Sequence, residues 1–163
     1  MDGIDRQLLA LLLEDAAQSY AALGKAVGMS AGAAHDRVRK LRERGVIRRT
    51  TVEIDPAAVG LGVLAHVLID SNAWMGDPPT KEALLALPWI EEAHIIAGAA
   101  SVLVKVRTSS TEELQSVLRQ IYGIDGVTGT QAIVVLETFF ERPLNVGADV
   151  RPVPLPASPG AVP

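Results

Sequence analysis

The chain has 163 residues, of which 48% are apolar and 21% charged, and its formal net charge is −4. That composition supports a globular core, and the length fits one domain or two small ones. The negative balance excludes attraction of the whole molecule to polyanions, and the absence of cysteine excludes disulfides, thiol catalysis and thiolate metal sites.

The start, Met1-Asp2-Gly3-Ile4-Asp5, lacks the basic residues that open a signal peptide. The longest apolar stretch, Val59 to Ile69, contains His66 and falls short of the ~20 residues that span a bilayer. A cytoplasmic protein with no membrane partner is expected.

Asp2 is placed to cap a first helix in which Ile4, Leu8, Leu11 and Leu12 form one stripe. Asp5 lies in its first turn, either as a partner of the helix dipole or paired with Arg37 across a small bundle. Ala22, Leu23, Ala26 and Val27 then recur at helical spacing and stop at Gly28. Ser30 caps a further helix with the stripe Ala34, Val38 and Leu41, which ends at Gly45. Two helices joined by a short turn containing glycine make a helix-turn-helix pattern.

Basic charge is concentrated here. Between Arg37 and Arg49 there are seven basic residues against the single acid Glu43. Up to Asp55 the chain holds nine basic and eight acidic residues, and after it six and eleven. A local attraction to a polyanion therefore survives in an acidic chain. With Ala34, Val38 and Leu41 inward, the opposite face carries Gly32, Asp36, Arg39, Lys40 and Glu43, with His35 on its flank. In a major groove Arg39 would fork onto guanine, Lys40 would meet phosphate and Asp36 would accept from cytosine N4. The competing reading pairs Asp36 with Arg39 or Lys40 along the helix and leaves the face merely solvated. The tip, Ala31-Gly32-Ala33, offers little side chain for base contacts.

Val46, Ile47, Thr50, Thr51, Val52 and Ile54 are mainly β-branched, and Asp55-Pro56 closes the run as a turn. A short strand pair is expected, a wing that brings Arg48 and Arg49 near a phosphate backbone; a solvated strand edge is the plainer alternative. Residues 56–62, PAAVGLG, read as a linker.

Beyond it, strands and helices alternate. Val63 to Ile69 reads as a buried strand, with His66 a satisfied core residue. Thr80 is expected to cap a helix through Leu87, stopped by Pro88. Glu91 to Ala97 and Val102 to Arg107 flank the turn Gly98-Ala99-Ala100-Ser101 as a hairpin. Ser110 and Glu113 form a capping box for a helix with inner residues Leu114, Val117, Leu118 and Ile121, and Val127 to Glu141 supplies a long last strand. The order β-α-β-β-α-β is the ferredoxin-like split unit. Its helix-free sheet face is too apolar to be wet, so a second copy is the natural cover.

The expected class is α+β: a winged helix-turn-helix over residues 1–60, a ferredoxin-like domain over 61–142, and a Pro-rich, disordered tail over 143–163 that holds six of the ten prolines. No catalytic constellation stands out. His35, His66 and His94 are far apart, and Gly60-x-Gly62 lacks a third glycine and precedes a strand. No enzyme activity, cofactor or metal is expected.

Several linked motifs resemble one family. Asp2-x-x-Asp5-Arg6-x-Leu8-Leu9, Val27-Gly28-Met29-Ser30, Arg37-Val38-Arg39-Lys40-Leu41-x-x-x-Gly45-Val46-Ile47 and Asp55-Pro56-x-x-x-Gly60 follow the pattern of the Lrp/AsnC ("feast/famine") transcriptional regulators. The resemblance runs from Asp2 to about Arg142. It implies a sequence-specific regulator that binds double-stranded DNA, dimerises through its second domain, in a family whose members often assemble further into octamers, and responds to a small effector such as an amino acid. The DNA-contacting residues would be Ser30, Gly32, His35, Asp36, Arg39, Lys40, Arg48 and Arg49. Effector contacts would fall at Gly98, Ala99, Ala100 and Ser101, where many relatives read Gly-x-Tyr-Asp. Ser101 can hydrogen-bond but supplies no counter-charge for an ammonium group. Ala33 replaces a proline common in relatives. Two alternatives stay open: a hetero-oligomer partner without DNA binding, and an enzyme similar to the siroheme decarboxylases. The latter carry a His-Asn-Tyr stretch, where this chain has His94-Ile95-Ile96.

Overall fold

The computed structural model describes residues 1–147. The chain divides into two compact units, Met1–Val52 together with the segment from Glu141, and Glu53–Phe140. Each is built by its own sequence pattern and is taken by itself.

The first unit has three helices: α1 (Gly3–Glu14), α2 (Tyr20–Ala26) and α3 (Ala31–Glu43). Asp2 caps α1 in a reciprocal box with Asp5, each side chain accepting from the other's backbone N–H, at 2.8 and 3.3 Å. Ser19 and Ser30 cap α2 and α3, each accepting at 3.2 Å from the N–H three residues on. Gly28 (φ 74°) and Gly45 (φ 71°) take the left-handed backbone that lets the chain turn away after α2 and α3. Leu8, Leu23, Ala34 and Val38 are wholly buried, and Leu41 nearly so. Each large side chain among them contributes roughly 1.5–3 kcal/mol. The expected stripe on α2 is only half right: Ala22 and Ala26 face solvent, and Gly24 is buried instead. A Cβ at Gly24 would lie 2.7 Å from the Met29 carbonyl oxygen, so the α2–α3 turn closes on a glycine.

No wing forms. Among the described residues the run after Gly45 has no strand until Val63, and Val52 and Ile54 are exposed. β-branched residues favour a strand only where a ladder forms with a partner, and no strand ladder is formed by this segment among the described residues. Arg48 and Arg49 therefore stand on an extended, unpaired segment rather than on a ribbon.

The second unit is a four-stranded antiparallel sheet of order β2-β3-β1-β4 with α4 and α5 on one face. Its elements are β1 (Val63–Ser71), α4 (Pro78–Leu85), β2 (Ile90–Ile95), β3 (Val102–Thr108), α5 (Thr111–Tyr122) and β4 (Val127–Val134). Alternate residues Ala65, Val67 and Ile69 of β1 and Val102, Val104 and Val106 of β3 pack under Leu84, Leu114, Val117 and Ile121. The ferredoxin-like expectation holds.

Four details differ from expectation. Asp77, not Thr80, caps α4, accepting from the Thr80 N–H and hydroxyl at 2.9 Å each. Around α5 the box is half closed: Ser110 accepts from the Glu113 N–H at 3.2 Å, but the Glu113 carboxylate takes the Ser109 N–H and hydroxyl, both 2.7 Å, and Trp89 Nε1 at 2.8 Å. β4 ends at Val134, paired with Ala65, rather than at Glu141, and one further backbone bond runs from Val135 N to Leu64 O at 2.9 Å. His66 is half-buried on the helix-free face, level with Lys105 and Ile133, and is not a core residue. That face also carries Leu64, Leu68 and Leu103, so it is mixed rather than uniformly apolar. Of the expected tail, residues 143–147 show no regular structure and the rest lies outside the described residues.

Candidate nucleic-acid interface

Helix α3 forms because Ser30 satisfies its first N–H groups and its apolar residues fall on one side. Arg37 flanks that side and is drawn to α1: its Nη1 donates to Asp2 Oδ2 at 2.7 Å and Asp5 Oδ1 at 2.8 Å. The Asp5 N–H first, and then Arg37, hold the Asp2 carboxyl below its usual range; Asp2, then Asp5, raise Arg37. Of the two roles open for Asp5, the structure shows both. Arg37 thus braces the bundle and is withdrawn from any ligand.

The opposite side presents Gly32, His35, Asp36, Arg39, Lys40 and Glu43, all exposed, with exposed Ser30 at the N-terminal tip. Arg39 is tethered along its own helix, Nη1 to Glu43 Oε1 at 2.7 Å and Nη2 to Asp36 Oδ1 at 3.6 Å. His35 stacks edge-on to Tyr20, ring centroids 4.8 Å apart, with Nδ1 3.7 Å from Asp36 Oδ1. The Tyr20 hydroxyl in turn accepts from Arg42 Nη1 at 3.3 Å. The pairing along the helix is therefore present. An exposed pair of this spacing contributes about 0.3–0.5 kcal/mol, whereas a bidentate contact to guanine is worth about 1–3 kcal/mol. The tether is therefore weak enough for a stronger partner to displace, and it leaves Arg39 available. Lys40, Arg44, Arg48 and Arg49 are exposed and have no side-chain partner among the described residues. They cluster at the C-terminal end of α3 and just beyond it.

Sequence reasoning missed Glu43 as the partner of Arg39, although their i, i+4 spacing signals it. It also missed Tyr20, whose ring fixes His35 from the neighbouring helix. In the second unit, Gly98 and Ala99 are exposed and Ala100 and Ser101 half-buried. Their turn is anchored by the backbone, Ser101 N donating to Ile69 O at 2.9 Å and Ile96 N to Ser101 O at 3.1 Å. The strand residues bracketing it, Ile95 and Val102, line a cleft of about 290 Å³ between α4 and β2, but the four turn residues do not. Among the described residues no group of three or more His, Asp or Glu could hold a metal ion, and no helix is long and apolar enough to cross a membrane.

Comparison with known proteins matches residues 1–42 to the AsnC-type helix-turn-helix domain and residues 65–144 to the Lrp/AsnC ligand binding domain. The HTH-type transcriptional regulator FL11 of Pyrococcus horikoshii is 36% identical over 141 residues, covering 86% of this chain and 93% of the relative. The structure of Escherichia coli AsnC superposes with a TM-score of 0.82 at 29% identity, covering 89% of this chain and 98% of that one. A feast or famine regulatory protein from Mycobacterium tuberculosis, complexed with L-methionine, gives 0.79 at 30% identity over 86% and 95%. The chain belongs to the Lrp/AsnC family of helix-turn-helix transcriptional regulators.

Proposed function

We infer that this chain binds specific duplex DNA through the exposed face of α3 and regulates transcription from that site in the cytoplasm. The observation that carries this reading is the concentration of exposed cations at the C-terminal end of α3, in a chain whose net charge is −4. Arg39 and Asp36 would read base edges; Lys40, Arg48 and Arg49 would meet phosphates; Ser30, Gly32 and His35 would line the approach. The mixed sheet face supports pairing of two copies, which would present two α3 helices to one duplex, and octamers are the larger assembly proposed. The second unit would sense a small effector near Gly98, Ala99, Ala100 and Ser101, and so alter assembly or DNA affinity.

A second reading, a hetero-oligomer partner without DNA binding, is favoured by the sparse tip Ala31-Gly32-Ala33 and by the acid tether on Arg39. Mobility shifts of the purified protein on DNA from upstream of its own gene, at low and moderate salt, separate the two. A regulator gives a sequence-dependent shift that weakens steeply with salt. A partner protein gives none.

A further inference from the structure

A second cleft, of about 590 Å³, opens in the second unit between the β1–α4 loop, α4 and the C-terminal end of α5. Its wall is Trp74, which is three-quarters exposed. The indole lies across Gly76, where a Cβ would come within 2.5 Å of the Trp74 Nε1 atom and push the ring aside. Ala83 and Ile124 add apolar surface, and Gln120 adds an amide.

The charge in this cleft has one sign. Asp77 and Asp125 line it, and no lysine, arginine or histidine does. Asp77 is held ionised at neutral pH by the Thr80 N–H and then the Thr80 hydroxyl, which lower its pKa. Asp125 has no hydrogen-bond or ion-pair partner among the described residues. The C-terminal end of α5 reaches the same space through Gln120 and the C-cap Gly123, and its dipole favours a cation. An indole face attracts ammonium groups for an independent reason, the negative quadrupole of the ring.

We propose that the Trp74 cleft binds a small primary alkylammonium that carries no carboxylate, its charge between Trp74 and Asp125 and its alkyl chain against Ala83 and Ile124. An amino acid of the same size is disfavoured, because its carboxylate would approach Asp77 and Asp125 with no cation to receive it. The proposal adds a ligand site lined by none of Gly98, Ala99, Ala100 and Ser101, and rests on the reading of the second unit as an effector sensor only for its regulatory consequence.

The test is calorimetric titration of the full chain, without DNA, by n-butylammonium chloride and by L-norvaline, which is the same molecule with an added carboxylate. The expected result is saturable binding of n-butylammonium with Kd on the order of 1 mM, within reach of so small a ligand, and binding of L-norvaline at least about tenfold weaker. Asp125→Asn and Trp74→Ala each weaken n-butylammonium by about tenfold; both side chains are exposed, and unchanged far-UV circular dichroism shows that the variants are folded. No saturable binding up to about 20 mM, equal binding of L-norvaline, or undiminished binding by the folded variants overturns the proposal. Because no DNA is present, failure here leaves the DNA-binding reading standing, and loss of operator binding elsewhere leaves this result standing.

Discussion

Arg39 on α3 and Arg107 on β3 each hold a glutamate in a short ion pair, at 2.7 Å to Glu43 and 2.6 Å to Glu91. On the helix both side chains are about half exposed; on the sheet Arg107 is only 13% exposed and shares Glu91 with Lys105 at 3.3 Å. Similar geometry therefore serves different ends. Water and a competing ligand reach the helix pair freely, so it holds a side chain in readiness and lets go. The sheet pair is shielded and carries neighbours that would be left uncompensated if it opened, so it holds structure. Exposure, rather than distance, distinguishes a pair that a ligand can displace from one that keeps a fold in register.

The largest effect should come from removing the cations on the helix side of this comparison. The double variant Arg39→Ala/Lys40→Ala is expected to lose at least about hundredfold in operator affinity by fluorescence anisotropy, with sedimentation unchanged. Affinity equal to wild type would remove α3 from the interface. The sheet pair comes next. Arg107→Ala leaves Glu91 without its best partner, and after allowance for the partial exposure of Glu91 should destabilise the second unit by about 1–2 kcal/mol in urea unfolding. DNA affinity per folded molecule should not change.

Glu43→Gln is a smaller and opposite probe. It frees Arg39 and removes a negative charge from the DNA-facing side, so affinity at low salt should rise about threefold while helix stability falls by no more than about 0.5 kcal/mol. A fall in affinity would mean that the tether orients Arg39 for binding. The smallest effect is acid sensitivity at the α1 cap. The folded-state pKa of Asp2 is lowered below the ordinary 3.8. The cap therefore contributes its full stability above that pH and loses it as pH falls through the lower, folded value. Asp2→Asn should flatten the acid limb of an unfolding profile and leave the neutral region nearly untouched.

The sequence made much of this molecule legible because local chemistry and tertiary packing agreed. Ser30, the stripe Ala34, Val38 and Leu41, and Gly45 all point to one helix with one inward face, and that helix forms. The strands β1 and β3 were likewise legible from their apolar runs, but not which alternate residues line the core, so His66 was placed inside when it lies on the helix-free face. What failed depended on a partner that the pattern does not display. The β-branched run after Gly45 has strand propensity but forms no ladder, and β4 stops at Val134, opposite Ala65, although its apolar run continues. The α4 cap was recoverable: Pro78 and Pro79 suit the first helical turn, so the cap had to precede them at Asp77 rather than follow at Thr80. On α3 the exposed face was legible from helical spacing but not the couplings across it, since the grip of Glu43 on Arg39 and of Tyr20 on His35 depends on rotamers.

The central claim is that Arg39 reads a base while Lys40 holds a phosphate. It is tested most directly by titrating wild type, Arg39→Ala and Lys40→Ala against the operator and a scrambled duplex across a range of salt. The predicted result is that Arg39→Ala collapses the preference for the operator, while Lys40→Ala weakens both duplexes alike and lowers the salt slope by about 0.9. If Arg39→Ala keeps the full preference, and neither variant changes the slope, α3 does not enter the groove and the account is wrong.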